Sequence, residues 1–294
     1  LNEFCNLSNL PVWIIEDLKK NLTSTEINEV SRVIVKEPEL NLKIKKSHVK
    51  LKDWESIMNG KFIESDILLT NNSGKINEFP FFDNGYWWVQ GLSSCLPVKC
   101  LDNLFPTSKR KEIKILDVCA APGGKTAQLA DYGFKSLSVD ISEYRIKQLK
   151  TNLDRLNYKP EIICTDFLNY DSDQKFDAIL LDAPCSASGL IQKKPEILIA
   201  NKQIDLKKLV IEQRRLLEHS KNFIKKGGYI IYCVCSINNS EGYEQIKTFL
   251  KNNKNFSSVD HLDNIKKYGK IIFKNMLQIY PRQFEFSDNI NGYL

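Results

Sequence analysis

The sequence predicts an α/β protein: a mainly parallel sheet with helices on both faces, preceded by a small α+β domain. Three observations carry the prediction. From Ile113 onward, short apolar β-branched runs alternate with stretches of helical period, the order that produces parallel strands joined by crossover helices. The first run, IKILDV from Ile113 to Val118, stops at a small-residue loop, CAAPGGKT, that opens a helix. Polar and nucleophilic residues then collect just past the ends of the runs, where ligands of open parallel sheets bind.

Taken in order, Pro11 to about Asn21 reads as a short amphipathic helix, and Thr23 to Val35 as a second, capped by Thr23 or Ser24 with Glu26 nearby. LNLKIKK, residues 40–46, alternates apolar and basic side chains as a half-exposed strand does. Trp54 to Met58 suits a helix and DILLT, residues 66–70, a strand. The turn-rich NNSGKINEFP, residues 71–80, marks the boundary between an N-terminal unit, 1–80, and a larger domain, 81–294. Phe81 to Trp88 is aromatic-rich; such rings stack bases or cover the edge of a core. Gln90 to Leu101 reads as a helix. Strands are then expected near 113–118, 135–139, 160–164, 176–181 and 228–234, with helices near 124–131, 142–157, 203–225 and 240–252.

The chain of 294 residues, 42% of them hydrophobic, can fill a real core, and no apolar run approaches a membrane span. Neither a signal-like nor a basic segment opens it, so a cytoplasmic protein is expected. The net charge of +6 permits a polyanionic partner without requiring one. Lys43, Lys45, Lys46 and Lys50 form one basic cluster; Lys193, Lys194, Lys202, Lys207, Lys208, Arg214 and Arg215 form another. Eight cysteines without a C-x-x-C pair, beside three histidines, argue for reduced thiols and against structural zinc, so no metal is expected.

Pro122, Gly123 and Gly124 let main-chain N–H groups and a helix N-terminus approach a ligand closely. The loop matches neither G-x-G-x-x-G nor the phosphate-binding G-x-x-x-x-G-K-[ST]. Asp140 ends the next apolar run, SLSVD, 23 residues after Asp117, and a carboxylate about 20 residues past such a turn is where ribose hydroxyls are held. A nucleoside ligand is favoured over a nucleoside triphosphate. FDAILLDAPCSASG, residues 176–189, ends a buried strand at Asp182 and continues through Pro184 and Cys185 to Gly189, while GGYIIYCVCS brings Cys235 to the end of another strand. Cys95, Cys100, Cys164 and Cys233 read as small buried hydrophobes. Cys185 and Cys235 instead leave the sheet at its ligand-facing edge, where a thiol can be partly exposed and activated.

CAAPGGKT, VDISEYRIKQLKTNLDRL, TDF, DAPCSASG and YCVCS, in that order, resemble the RsmB (Fmu/Sun) family of RNA cytosine-5 methyltransferases, which use S-adenosylmethionine. The resemblance runs from about Gly85 to Gly292 and weakly from Pro11 to Lys46. It implies a Rossmann-like class I methyltransferase fold. It implies that Cys119, Ala120, Ala121, Pro122, Gly123, Gly124 and Lys125 hold the methionine part of the cofactor, Asp140 its ribose and Asp166 its adenine, with Arg145 supporting that wall. Asp182 then lines the cofactor–substrate junction, Cys235 is the nucleophile, and Cys185 helps release the finished RNA. It implies as partner RNA, ribosomal RNA of the small subunit first and transfer RNA next, and a monomer.

The chemistry agrees with those residue types. Carbon 5 of cytosine is a poor nucleophile until a thiolate adds to carbon 6. A protonated Asp182 could then donate to N3. The thiol must finally be eliminated, which gives a second acid/base group such as Cys185 a purpose. The target base has to be single-stranded or flipped out.

The sequence departs from the family in several places. Asn239, Ser240, Glu241 and Gly242 stand where a Pro-Glu-Glu-Asn run is usual, keeping one acidic residue. Gln192, Lys193 and Lys194 replace two arginines and a histidine, and lysine lacks the bidentate fork of arginine. Gly91 replaces an Asp. The chain opens at Leu1 rather than Met and stops at Asn291 to Leu294, where the family enters its last strand, so an upstream segment and that strand are expected in a longer protein. DNA cytosine methyltransferases would use the cysteine equivalent to Cys185 as nucleophile, and amino-group methyltransferases want Asn/Asp-Pro-Pro-aromatic. A nucleoside-binding oxidoreductase lacks its G-x-G-x-x-G here; a degenerate RNA-binding member is the non-catalytic alternative. The cluster from Lys43 to Lys50 is the expected RNA patch of the N-terminal unit, the other reading of that unit being a structural cap.

Overall fold

The computed structural model describes residues 10–34, 36, 38, 40–197, 205–260, 265–273, 276–284 and 287–290. Helices α1 (Val12–Leu18) and α2 (Ser24–Val33) come first. The start of α2 is a reciprocal capping box: Glu26 N donates to the Thr23 hydroxyl at 3.3 Å, and Thr23 N donates to Glu26 Oε2 at 2.8 Å. Next come β1 (Leu40–Ile44), the single-turn α3 (Trp54–Ile57), β2 (Gly60–Glu64), β3 (Ile67–Thr70), β4 (Trp87–Val89) and α4 (Leu92–Leu104). Strand and helix then alternate through β5 (Lys114–Val118), α5 (Gly124–Asp131), β6 (Lys135–Asp140), α6 (Glu143–Arg155), β7 (Glu161–Cys164), β8 (Phe176–Asp182), α7 (Leu206–Ser220), β9 (Ile224–Cys233) and α8 (Tyr243–Asn252). Two hairpins follow, β10 (Lys270–Phe273) with β11 (Met276–Gln278), and β12 (Arg282–Phe284) with β13 (Ser287–Ile290).

The chain divides into two compact units, and the first 80 residues contribute to both. One unit comprises Glu39–Ala183 and Arg215–Tyr232; the other comprises Leu1–Pro38, Pro184–Arg214 and Cys233–Leu294.

The first unit carries the five-stranded sheet, in the order β7-β6-β5-β8-β9. The pairs β5–β6, β5–β8 and β6–β7 are parallel, with Val118 opposite Val139 and Leu181. Strand β5 lies at the centre, and Ile115, Leu116 and Val118 are fully buried, as are Ala178 to Leu181 of β8. A strand covered on both faces must be apolar throughout, which is why these segments read as runs rather than alternations. The order reverses at β5: its successor β6 pairs on one side and β8 on the other. Such a switch point opens a crevice beyond the carboxyl ends of the two strands, where CAAPGGKT emerges.

The antiparallel sheet of this unit has the order β2-β3-β1-β4. Here the structure corrects the sequence reading of β1. It is an inner strand packed with Trp54, Met58, Leu68 and Trp87, not a half-exposed one. Lys43 is fully buried in an ion pair with Asp66 and lies 3.4 Å from the Tyr132 hydroxyl. Lys45 is buried too; its ammonium donates to the Leu156 carbonyl at 2.5 Å and sits over the Tyr158 ring. Lys46 lies over Tyr132 and is 3.7 Å from Asp102. The expected RNA patch therefore loses two of its four cations to the interior. The rings at 81–88 cover a core: Trp87 and Trp88 are buried, and their indoles donate to Pro80 O and Gln90 Oε1, both at 2.7 Å.

Cys95 and Cys233 are buried as expected, but Cys164 is exposed, because β7 is the edge strand of its sheet and little covers it. Strands β2, β4 and β10 to β13 are too short to show a period in the sequence. The second unit has its own apolar cluster, in which Ile14 and Leu18 of α1 and Ile27 and Val30 of α2 pack with Ile191, Ile237 and Tyr280. The expectation about the final strand concerns residues 291–294, and the basic residue Lys202 lies at 201–204; both fall outside the described residues. Among the described residues no helix is long and apolar enough to cross a membrane.

Candidate active site

The loop after β5 is shaped by backbone conformations that favour small residues. Cys119 has φ +60°, and Gly123, the residue before α5, has φ +100°. A Cβ on Gly123 would stand 3.1 Å from Leu149 Cγ of α6. Ala120 N donates to Val139 O at 3.1 Å and Gly123 N to Ala120 O at 2.9 Å, closing the loop against β6. Among the described residues no side chain caps the start of α5, and a helix N-terminus favours an anion.

Asp140, at the end of β6, holds this loop. Its buried carboxylate accepts from Ala121 N at 3.1 Å and from Ser142 N at 3.0 Å. Arg145, on the first turn of α6, has Nη1 3.5 Å from Asp140 and donates through Nη2 to the Ala121 carbonyl. Asn152, two turns on, donates to Pro122 O at 3.0 Å. A carboxylate has about four acceptor positions, so Asp140 retains capacity for ligand hydroxyls. Asp166 accepts from Leu168 N at 2.9 Å and so caps the turn after β7. Lys125, buried on α5, donates to Asp182 Oδ2 at 2.7 Å at the end of β8. The predicted loop residues, Asp140, Arg145, Asp166 and Asp182 thus all lie in one unit, along the carboxyl ends of its parallel strands.

Beneath the loop is a residue that sequence reasoning left unassigned. Asp117 of β5 is fully buried, accepts from the Thr126 hydroxyl at 2.6 Å, and has its other oxygen without a partner among the described residues. Burial pushes its pKa up to about 7, against the smaller opposing effect of Thr126. Burial likewise raises the Cys119 thiol, which argues that it packs rather than reacts.

The two predicted cysteines come together in the other unit. Their Sγ atoms are 3.2 Å apart, well beyond the roughly 2.05 Å of a disulfide and close enough for one thiol to donate to the other. The Cys185 thiol is raised well above its ordinary value by that hydrogen bond first, then by burial and by the charges of Cys235 and Glu241. Ala187, at φ +55°, turns the chain back, so that Gly189 N donates to Cys235 O at 3.1 Å.

Below the thiols lies a polar knot that the sequence did not announce. Glu241 is fully buried. Its carboxylate accepts from Ser186 N at 2.8 Å, the Ser186 and Ser236 hydroxyls at 2.5 Å, and Asn238 Nδ2 and Gln213 Nε2 at 3.0 Å. The signal for it was the one acidic residue kept in the run Asn239 to Gly242, where the family has Pro-Glu-Glu-Asn.

These residues match a known family. Residues 105–289 fit the family model described as 16S rRNA methyltransferase RsmB/F. The chain belongs to the RsmB/F family. Ribosomal RNA small subunit methyltransferase B of Photorhabdus laumondii is 41% identical over 177 residues, which are 58% of this chain and 40% of that one. The protein of the same name from Citrobacter koseri is 32% identical over 254 residues, 82% of this chain and 58% of that one. The RsmB/F chain described here thus spans 40% to 58% of the length of these two relatives. In fold it is similar to the crystal structure of PH0851, with a TM-score of 0.82 at 24% identity over 97% of this chain and 64% of that one. It is also similar to NSun6 from Pyrococcus horikoshii, solved with SFG, with a TM-score of 0.79 at 17% identity over 98% of this chain and 97% of that one.

The donor set of the first unit fits S-adenosylmethionine. The N–H groups of α5 suit a carboxylate, and the absence of a Cβ at Gly124, whose nearest neighbour would be Gln90 at 3.8 Å, leaves room for close approach. Asp140 suits ribose hydroxyls, Asp166 an exocyclic amine, and Asp182 with Lys125 a polar terminus. Among the described residues no group of three His, Cys, Asp or Glu side chains could hold a metal.

Proposed function

We propose that this chain transfers a methyl group from S-adenosylmethionine to carbon 5 of a cytosine in RNA, with small-subunit ribosomal RNA as the substrate. The observation that carries this reading is the thiol pair, Cys185 and Cys235, in contact at 3.2 Å at the ends of two strand-following loops. A simple methyl transfer to nitrogen or oxygen has no use for two apposed thiols. Methylation at carbon 5 does, because one sulfur must add to the base and later be expelled.

Bound in the loop 119–125, S-adenosylmethionine supplies an electrophilic methyl group. Cys235, as thiolate, adds to carbon 6 and turns carbon 5 into an enamine-type nucleophile. Asp182, which accepts from Lys125 at 2.7 Å, is the group assigned to N3, to which it donates only when its carboxyl carries a proton. Once carbon 5 is methylated and has lost its proton to a base, the bond from carbon 6 to Cys235 breaks. Cys185, kept as a thiol by its raised pKa, has the proton that the departing sulfur needs. RNA is held by phosphate contacts from the exposed cations Lys193, Lys194, Lys207, Lys208 and Arg214, which belong to the same unit as both thiols. A cytoplasmic monomer is part of this reading.

The test is transfer of labelled methyl from S-adenosylmethionine to unmodified ribosomal and transfer RNA. The expected result is label at cytosine carbon 5 of ribosomal RNA, none with Cys235→Ala, and a covalent RNA complex accumulating with Cys185→Ala. Label in transfer RNA alone would move the substrate; the two cysteine phenotypes reversed would exchange their roles; no label in either RNA would overturn catalysis by this chain.

A further inference from the structure

Each thiol sits on a loop, and loops hold position poorly unless something ties them down. Reactive sulfurs need placement to within a fraction of an ångström, since a 1 Å displacement can cost about a hundredfold in rate. The side chain that ties both loops is Glu241. It accepts from the backbone and the hydroxyl of Ser186, the residue after Cys185, and from the hydroxyl of Ser236, the residue after Cys235. Gln213 adds a second tie: one amide nitrogen donates to Glu241 Oε1 at 3.0 Å and to Pro184 O, the residue before Cys185, at 2.9 Å. Asn238 donates to Glu241 and to Ser186 Oγ, and Ser188 meets Ser236 at 2.9 Å while accepting from Ile237 N at 3.1 Å.

We propose that Glu241 is a positioning residue, whose buried carboxylate locks the Cys185 and Cys235 loops together and thereby sets the distance between the two sulfurs. The inference deepens the cytosine-5 reading, in which that distance matters for release of the product. Among the described residues, Ser186 N, the Ser186 and Ser236 hydroxyls, Asn238 Nδ2 and Gln213 Nε2 converge on one buried carboxylate, and each comes from a residue next to a thiol or from a side chain bound to such a residue. A mere stabiliser of the fold could sit anywhere; this one is wired to both members of a reactive pair. A glutamine of the same size would present an NH2 group, which cannot accept, to one of the two clusters of donors.

The test uses two readouts on the full chain. The first does not depend on methyl transfer. In buffers of glutathione and glutathione disulfide, Cys185 and Cys235 form an internal disulfide while two glutathione thiols are released, the glutathione disulfide being the oxidant and its sulfurs taking both protons. The equilibrium constant reports the effective concentration of one sulfur at the other. Glu241→Gln is expected to lower it about tenfold, with binding of S-adenosylhomocysteine unchanged. The second readout is methylation: kcat falls about a hundredfold and KM for RNA stays within a few-fold. Ser186→Ala and Ser236→Ala, each removing one tether, are expected to show the same pattern more weakly, and they decide the matter if Glu241→Gln does not fold. A folded Glu241→Gln, or both serine variants, with wild-type effective concentration would overturn the proposal, whether or not the chain methylates RNA. If the effective concentration falls while no variant or wild type methylates, the positioning role stands and the assigned reaction is what fails.

Discussion

The Sγ atoms of Cys185 and Cys235 lie 3.2 Å apart, and the contact raises the Cys185 thiol. The hydrogen bond to Cys235 is the largest of the effects that raise Cys185, ahead of burial and the neighbouring charges of Cys235 and Glu241. Replacing Cys235 by Ala removes that partner. The pH midpoint for alkylation of Cys185 is therefore expected to fall, with its rate at pH 8 rising about tenfold for each unit of the fall, since only the thiolate reacts. Alkylation by iodoacetamide followed by peptide mapping measures this; an unchanged midpoint in Cys235→Ala would contradict the assigned cause.

Asp117 makes stability depend on pH. Its pKa is raised by burial from an ordinary 3.8 to about 7. Below 3.8 both folded and unfolded chains hold the proton and the group contributes nothing. Between those values the folded chain keeps a proton that the unfolded chain has released, so stability falls as pH rises, and the loss is complete above about 7. Asp117→Asn cannot ionise. Relative to wild type it is expected to gain on the order of 2 kcal/mol between pH 5 and pH 8, read from urea midpoints. A difference independent of pH would show that Asp117 does not titrate in this range.

Gly123 has φ +100° and would place a Cβ 3.1 Å from Leu149 Cγ. Gly123→Ala is expected to cost about 1–3 kcal/mol from the left-handed backbone and the contact together. It should also weaken binding of S-adenosylhomocysteine, because the loop 119–124 shifts away from α6. Calorimetric titration beside thermal unfolding separates the two effects.

Lys43 belongs to the interior despite its place in a basic cluster. Lys43→Met leaves Asp66 buried without its cation, an expected loss of about 3–5 kcal/mol. Lys50 is exposed, and Lys50→Ala should stay within about 0.5 kcal/mol of wild type. Denaturant unfolding of the two variants is the check, and equal stabilities would contradict the ion pair.

The exposed cations of the unit that carries both thiols have a different expectation. Replacing Lys194 and Lys207 together by Ala should weaken RNA binding and reduce the slope of log affinity against log salt by roughly 0.7 to 0.9 for each phosphate that is no longer neutralised. Filter binding at several salt concentrations measures it. An unchanged slope would place the RNA path elsewhere on the surface.

Much of this architecture is legible in the sequence because its signals are local. The apolar runs at 114–118 and 176–182 mark inner parallel strands, CAAPGGKT marks a turn into a helix, and the Thr23 and Glu26 spacing marks a cap. Each depends on residues within a few positions of one another, which is the range over which backbone preference and hydrophobic period act. The two cysteines stand out for the same reason: each ends a run. Tertiary structure decided what depends on neighbours far away along the chain. Lys43 is interior because β1 happens to lie between β3 and β4 with Asp66 in reach, and Cys164 is exposed because β7 is an edge. The role of Glu241 depends on Ser186, 55 positions earlier, and Gln213, 28 positions earlier. A buried carboxylate is stable only where donors converge on it, and convergence is a property of the folded chain, invisible in an acidic residue read among asparagines and serines.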